Sequence, residues 1–502
     1  MWVNYWVVKA DGALASQLFV ALLSAPLQIV KKRSRRWRWS LCFIVGFLLL
    51  SLSSVWRLHS SIAEPTVPAL PQDRHVQVFF NHSEANLYEE PYRHLKRYGD
   101  DLEQVIIDAI AQAHQSIDIA VHEINLPRVA QALVVQAQKG VAVRVIVENQ
   151  YSTPWSLKDG RALPEGRDRS KYEDLVALAD TNHNGRLSTS EIEQGDALLM
   201  LQRAQISLID DTADGSKGSG LMHHKFMVID QRRVIMGSAN WTISDIHGDT
   251  LDPESRGNAN ALLTLESPDL ANRYQTEFNL MWGDGPDGQK DSQFGLQKRH
   301  RGSETFLIPG SSLTVMFSPL SPTQPWQQSV NGLIASTLSR ASRSIDLALF
   351  VFSDQGIANQ LEAEVKTGVA LRALIDPGFV YRSYSEALDL LGVTLPDHRC
   401  RIEANNHPWL APITTVGSPK LPKGDKLHHK FAVIDDATVI IGSQNWSKAA
   451  NTQNDENLLV IQNPTVAAHF KREFERLNRD AYTGLTPLLQ SKIDRQKQAC
   501  GL

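Results

Sequence analysis

Cysteine is scarce in this chain. Three among 502 residues, at positions 42, 400 and 500, are too few for a disulfide framework. Cys400 and Cys500 are either a pair in an oxidising compartment or two free thiols, and their spacing does not choose between these. Cys42 precedes the bulk of an apolar run, which is not the place of a lipoprotein cysteine. A surplus of positive charge is also missing from most of the chain. Residues 1–39 hold seven Lys/Arg against one Asp; the net charge of −4 therefore leaves −10 for residues 40–502. An acidic body is a poor surface for non-specific nucleic-acid binding, which depends on cationic contacts to phosphates, although a locally basic cleft remains compatible with it.

Only one stretch is long and apolar enough to suggest a bilayer span. Between Arg38 and Arg57 lie 18 uncharged residues, near the lower limit for a membrane helix. The cluster Lys31-Lys32-Arg33-Ser34-Arg35-Arg36-Trp37-Arg38 precedes the run and is expected to stay cytoplasmic, placing everything after residue 57 outside. The alternative is a cleaved signal peptide with Ser61-Ile62-Ala63 as its cleavage site, which would make the chain secreted. Residues 13–30 are also fairly apolar, but Gln17, Pro26 and Gln28 argue against a second span.

What the chain does have is one block written twice. Met222–Thr242 and Leu427–Ser447 share 13 of 21 residues, and both contain H-x-K-x4-D-x6-G-S-x-N. The pattern supplies His223, Lys225, Asp230 and Asn240 in the first copy, and His428, Lys430, Asp435 and Asn445 in the second. Two histidines provide a nucleophile and an acid for a phosphodiester; two lysines and two asparagines provide donors for its anionic oxygens. The duplication extends further. Ser116–Val121 resembles Ser344–Leu349, and Lys139–Arg144 resembles Thr367–Arg372 at the same offset. In each half an amphipathic helix (102–114; 330–341) precedes a buried strand, and a second helix (126–139; 355–366) leads to another. This alternation predicts parallel α/β architecture.

The two histidine blocks are 205 residues apart, so the first half is 23 residues longer before its motif. Within the excess, Asp180–Glu191 fits the calcium-loop pattern D-x-[DN]-x-[DN]-G-x5-E at every specified position. Asp180, Asn182, Asn184, the Arg186 carbonyl and Glu191 are the expected calcium ligands, with Gly185 at the turn and Ser188 acting through a water. Residues 172–179 and 189–200 are the expected helical flanks.

The paired blocks resemble the HKD signature of the phospholipase D superfamily. The resemblance covers residues 76–480 and implies two similar α/β sandwich lobes in one chain, with the active site at their interface. It implies His223 as nucleophile, His428 as acid, no metal in the chemistry, and mainly supporting roles for Asp230 and Asp435. Trp241 and Trp446 read as packing. Glu456, in the run Asn454-Asp455-Glu456-Asn457 that follows the second motif, stands where similar members carry a carboxylate that orients the histidine. Aligning the following strands puts Asn260 opposite it, so the group orienting His223 is open: Asn260, or Asp252 or Glu254 from an insertion.

The resulting domain reading is a basic cytoplasmic segment 1–39, a transmembrane helix or signal anchor 40–57 and a Pro-containing linker 58–74. A first lobe 75–286 contains the calcium-loop insertion 168–200; a linker 287–312, a second lobe 313–485 and a polar tail 486–502 follow. The expected substrate is a phospholipid headgroup ester at a membrane. A nucleic-acid phosphodiester is the rival, favoured by the run Ser219–Phe226, which resembles compact nucleases of the superfamily. A calcium-binding scaffold without catalysis is a third reading.

Overall fold

The computed structural model describes residues 67–216, 220–286 and 288–501. The expected cytoplasmic segment, the anchor and the first residues of the linker lie outside these. Among the described residues no helix is long and apolar enough to cross a membrane.

Two mixed sheets are built on one plan. The first contains β1 (Val76–Phe80), β2 (Ser116–Val121), β3 (Ala142–Val147), β4 (Ser207–Asp210), β5 (Lys225–Ile229), β6 (Arg233–Gly237) and β7 (Ala261–Glu266), in the order β1-β7-β6-β5-β2-β3-β4. The second contains β8 (Glu304–Ile308), β9 (Ser311–Phe317), β10 (Ser344–Leu349), β11 (Ala370–Ile375), β12 (Val416–Ser418), β13 (Lys430–Ile434), β14 (Thr438–Gly442), β15 (Asn457–Gln462) and β16 (Tyr482–Thr483). Its order is β8-β9-β15-β14-β13-β10-β11-β12-β16, so the first sheet's plan recurs within it between two added edge strands. The parallel expectation holds for β2-β3-β4 and β10-β11-β12, where helices make the crossovers. It fails at the motif strands: β5 and β13 run antiparallel to both neighbours, because a tight turn joins each to the next strand.

The crossover helices α1 (Leu102–Ala111) and α2 (Pro127–Gln138) cover the outer face of the first sheet. The connection from β3 to β4 carries α3 (Arg167–Ala179), α4 (Thr189–Gly195) and α5 (Ala197–Arg203), with the calcium-type loop between α3 and α4. The expected flank 189–200 is broken at Asp196, whose side chain accepts from Leu199 N–H to cap α5. After β6 come the short α6 (Ile243–Ile246) and, following β7, α7 (Pro268–Trp282). In the second lobe α8 (Val330–Leu338), α9 (Gln355–Lys366), α10 (Glu386–Leu390), α11 (Lys448–Thr452) and α12 (Pro464–Asn478) follow the same succession. Helices α7 and α12 lie between the sheets, and both lobes contribute to one core containing Phe80, Phe226, Tyr274, Phe278, Phe317, Phe431, Phe470 and Phe474. Phe80 meets Phe470, and Tyr274 meets Phe317, edge to face across the lobe boundary.

Two further stretches differ from expectation. Part of the presumed linker is β8, which pairs with β9 in register from Glu304↔Val315 to Ile308↔Ser311. The polar tail is α13 (Pro487–Cys500), which buries only Leu489 and Ile493. Its last residue, Cys500, is disulfide-bonded to Cys400.

Candidate active site

Each motif begins where a lobe reaches across to the other. Met222 forms a parallel bridge with Asp455, and Leu427 one with Ala259. His223 N–H donates to Asp455 O, and His428 N–H to Ala259 O, both at 3.0 Å. The residue before each histidine is held by a carboxylate from its own sheet: Met222 N–H donates to Glu148 (2.6 Å) and Leu427 N–H to Asp376 (2.9 Å). These bonds fix both histidines at the boundary, 7 % and 6 % exposed.

The side chains are exchanged in the same way. His223 Nδ1 lies 2.7 Å from Glu456 Oε2 of the second lobe; His428 Nδ1 lies 3.0 Å from Asn260 Oδ1 of the first. Glu456 therefore holds the other half's histidine, not the one that precedes it in its own half. Asn260 likewise serves His428, and the group orienting His223 is Glu456 rather than Asn260, Asp252 or Glu254. An acceptor at Nδ1 fixes the proton there and leaves Nε2 free to react. The motif serines complete the exchange. Ser238 Oγ donates to Asn260 Oδ1 at 2.8 Å, and the Ser443 side chain bonds to Glu456.

The two acceptors differ in charge. Glu456 is a carboxyl group, pushed up to about 7 by burial against the pull of Lys225. Asn260 is neutral, but Asp245 Oδ2 lies 3.6 Å from His428 Nδ1. At the offset between the two motifs, Asp245 corresponds to Ala450, so only one copy carries this charge.

Lys225 and Lys430 are buried, each ammonium donating to the carbonyl of the motif histidine just before it, at 2.9 and 2.7 Å. Burial lowers Lys225 to about 8 and Lys430 well below the ordinary lysine value. Burial first, then the two lysines, hold both histidines well below 6.5. Asn240 and Asn445 are partly exposed, yet each has an Oδ1 that is buried without a hydrogen-bond partner. Two lysines, two histidines and two amides, whose Nδ2 groups donate, make a site suited to an anion.

Asp230 and Asp435 stand apart, at the far ends of β5 and β13. Asp230 accepts the N–H groups of His114, Gln115 and Ser116; Asp435 accepts those of Ser342, Arg343 and Ser344. Burial works against ionisation, but these donors keep both carboxyls below the usual value. They tie down the turns entering β2 and β10 and do not face the histidines. Trp241 and Trp446 are fully buried in the outer cores, as expected. His224 and His429, the second histidines of each pair, face Glu277 on α7 and Glu473 on α12.

The sequence reading missed the flanking aromatic pair. His122 meets His223 edge-on at 4.9 Å, and Tyr151 meets His122 at 5.0 Å. At the positions the repeat makes equivalent, Phe350 meets His428 at 4.9 Å and Phe379 meets Phe350 at 4.7 Å. The signal was in the repeat: the strands Ser116–Val121 and Ser344–Leu349 continue into His122 and Phe350.

Among the described residues no group of three or more His, Cys, Asp or Glu side chains is arranged to hold a metal. The calcium-type loop offers two carboxylates, with amides completing its donor set. Asp180 accepts Asn184 and Gly185 N–H, and Asn184 Oδ1 accepts Arg186 N–H. Glu191 reaches back over the loop to Asn182 N–H at 3.3 Å and Asn182 Nδ2 at 2.8 Å. Gly185 has φ +75°, a left-handed turn that suits glycine.

A family profile described as "Cardiolipin synthase, PLD-like domain" matches residues 106–282 and 334–478. Among curated proteins, the mitochondrial cardiolipin hydrolase of Xenopus tropicalis is 28 % identical over 142 residues, covering 28 % of this chain and 57 % of that protein. The human mitochondrial cardiolipin hydrolase is 26 % identical over 183 residues, covering 36 % of this chain and 64 % of its own. The alignment to the first of these thus spans little more than half its length. Among solved structures, phosphatidylserine synthase of Haemophilus influenzae is similar in fold over 87 % of this chain and 94 % of its own, with TM-score 0.50 and 11 % identity. Nuc of Salmonella typhimurium, a phospholipase D family member, is 24 % identical over 34 % of this chain and 97 % of its own, with TM-score 0.27.

Proposed function

The chain belongs to the family of cardiolipin synthase-type, PLD-like domains, and from that premise we propose that it is a phosphodiesterase hydrolysing a phospholipid headgroup ester through a phosphohistidine. The observation that carries the reading is the pair of histidines, one per lobe, each with Nδ1 held by the opposite lobe. His223 Nε2 attacks phosphorus, and the bond from phosphorus to the headgroup oxygen breaks as His428 donates a proton to that oxygen. Water then attacks the phosphohistidine, His428 takes its proton, and phosphatidate leaves. Lys225, Lys430, Asn240 and Asn445 hold the non-bridging oxygens through both steps. The carboxylate partner favours His223 as nucleophile, because a negative charge stabilises the positive imidazole of the intermediate.

The lipid reading draws on the acidic body and on the curated relatives named for cardiolipin hydrolysis. Its test is to offer the purified protein cardiolipin vesicles, phosphatidylcholine vesicles and single-stranded DNA. Phosphatidate released from vesicles, with DNA intact, is the expected result; cleavage of DNA alone would make the protein a nuclease.

Residues 180–191 are proposed to bind one calcium ion outside the chemistry. Asp180 and Asn182 Oδ1 both accept Asn184 N–H, and Glu191 closes on Asn182 from across the loop; two carboxylates and two amides suit the donor set of a hard cation. Ser188, through backbone and side chain, holds the Glu191 carboxyl down to about 2, so it is ionised at neutral pH. Calcium should raise the melting temperature of the parent and leave Glu191→Gln unchanged; equal melting with calcium and chelator would reject the site.

The catalytic lobes are proposed to lie outside the cytoplasmic membrane, tethered by residues 40–57. The uncharged run and the Cys400–Cys500 bond support this. Protease reaching the lobes in cells with a permeabilised outer envelope is the expected outcome.

A further inference from the structure

The two halves of the site are alike except in the charge behind each histidine. Glu456, behind His223, has Asn260 as its counterpart behind His428. Without further help, an imidazolium at His428 would face Lys430, Lys225, His223 and Lys426 with a neutral amide behind it. Such a group would lose its proton before it could protonate a leaving oxygen.

We infer that Asp245 is the missing carboxylate, a positioning residue that keeps His428 able to act as the acid. Its Oδ2 is 3.6 Å from His428 Nδ1 and accepts Asn240 N–H at 2.7 Å. Its Oδ1 accepts from Asn258 Nδ2. Its backbone carbonyl accepts from Asn260 Nδ2 at 3.1 Å and from Asn81 Nδ2 at 3.2 Å. One buried residue, 4 % exposed, thus fixes the amide that orients His428, the backbone of the phosphate-binding Asn240, and a charge beside the imidazole. Asp245 also favours the charged forms of Lys225 and Lys430. The short helix α6 makes the placement: Thr242 caps it by accepting Asp245 N–H, which presents the residue at the boundary. In the second lobe the same turn of α11 carries Ala450, which is buried and uncharged, because Glu456 already supplies His223.

This assignment rests on the two-histidine mechanism, and its test separates the two. The full chain and Asp245→Asn are compared on a phospholipid, whose alcohol needs a proton to leave, and on bis(p-nitrophenyl) phosphate, whose nitrophenolate does not. The variant is expected to lose about 10²-fold in kcat on the phospholipid, while the first-turnover burst of nitrophenol, which precedes the water step, falls less. The alkaline limb of its pH profile moves to lower pH. Equal losses on both substrates with an unmoved limb would make Asp245 merely structural. A parent inactive on both substrates would reject the mechanism instead. The His428 ring signal, assigned by its loss in His428→Gln, gives a readout without turnover: its midpoint should fall in Asp245→Asn and rise in Asn260→Asp. A midpoint unmoved in the variants that fold overturns the inference.

Discussion

His223 and Glu456 belong to different lobes, far apart in the chain, yet their side chains meet at 2.7 Å. Glu456 is fully buried, so without the His223 ring its carboxyl would have no water to take that place. Glu456→Gln keeps an acceptor but removes the charge. It should lower kcat by about 10-fold to 10²-fold and slow formation of the phosphohistidine more than its hydrolysis. Rapid-quench measurement of the intermediate checks this.

Replacing either of the histidines proposed as catalytic, His223 or His428, should abolish hydrolysis of an alkyl ester, by about 10³-fold or more. The two variants should differ with a good leaving group. His428→Ala retains its nucleophile and should accumulate a covalent adduct with bis(p-nitrophenyl) phosphate, visible by intact mass; His223→Ala should not. Adduct on the second variant alone would reverse the assignment of roles.

Anion binding should depend on Lys225. Burial lowers its ammonium to about 8, so its charge is present below that pH and lost above it. Sulfate, whose own charge is constant there, should inhibit progressively less as pH rises through about 8. Lys225→Arg should remove the part of this break due to Lys225, because a guanidinium keeps its proton.

A stability prediction concerns the second lobe. Burial, then Asp389, Glu403 and Asp354, push the Glu386 carboxyl up to about 9. A raised carboxyl favours folding at low pH, and the contribution is lost as pH rises from the unfolded value of 4.5 towards 9. Glu386→Gln, which cannot ionise, should therefore raise the melting temperature at pH 8 and change it little at pH 4.5. A gain of equal size at both pH values would refute the electrostatic cause.

The Cys400–Cys500 bond closes a 100-residue separation. Cys400→Ser should cost about 2–4 kcal/mol of unfolding free energy, measured in denaturant. Reductant should have the same effect on the parent and none on the variant.

The groups proposed to react were legible from the sequence because the repeat states them twice. His223, Lys225 and Asn240, with their counterparts, needed no structure to be found. The partnership between them was not legible. Proximity in the chain ties Glu456 to His428, but the bridges Met222↔Asp455 and Ala259↔Leu427 pass the strand entrances across the boundary, and no local pattern reports that. Asp245 escaped notice because only one copy carries it; setting Asp245 against Ala450 would have exposed an unmatched charge. Helix α13 escaped because two buried side chains, Leu489 and Ile493, are too few to mark a periodic face. Strand β8 was hidden by its flanks, a stretch rich in glycine and charge.

The crossing of partners between lobes also bears on how such a chain is free to diverge. In an assembly of two identical copies, each orienting residue would be inherited twice, and any substitution would alter both histidines together. Joined in one chain, the two positions vary separately: one holds the carboxylate Glu456 while its counterpart holds Asn260, with Asp245 nearby. A single chain thereby allows a directional pair, in which the side proposed to attack and the side proposed to release are adjusted by different mutations.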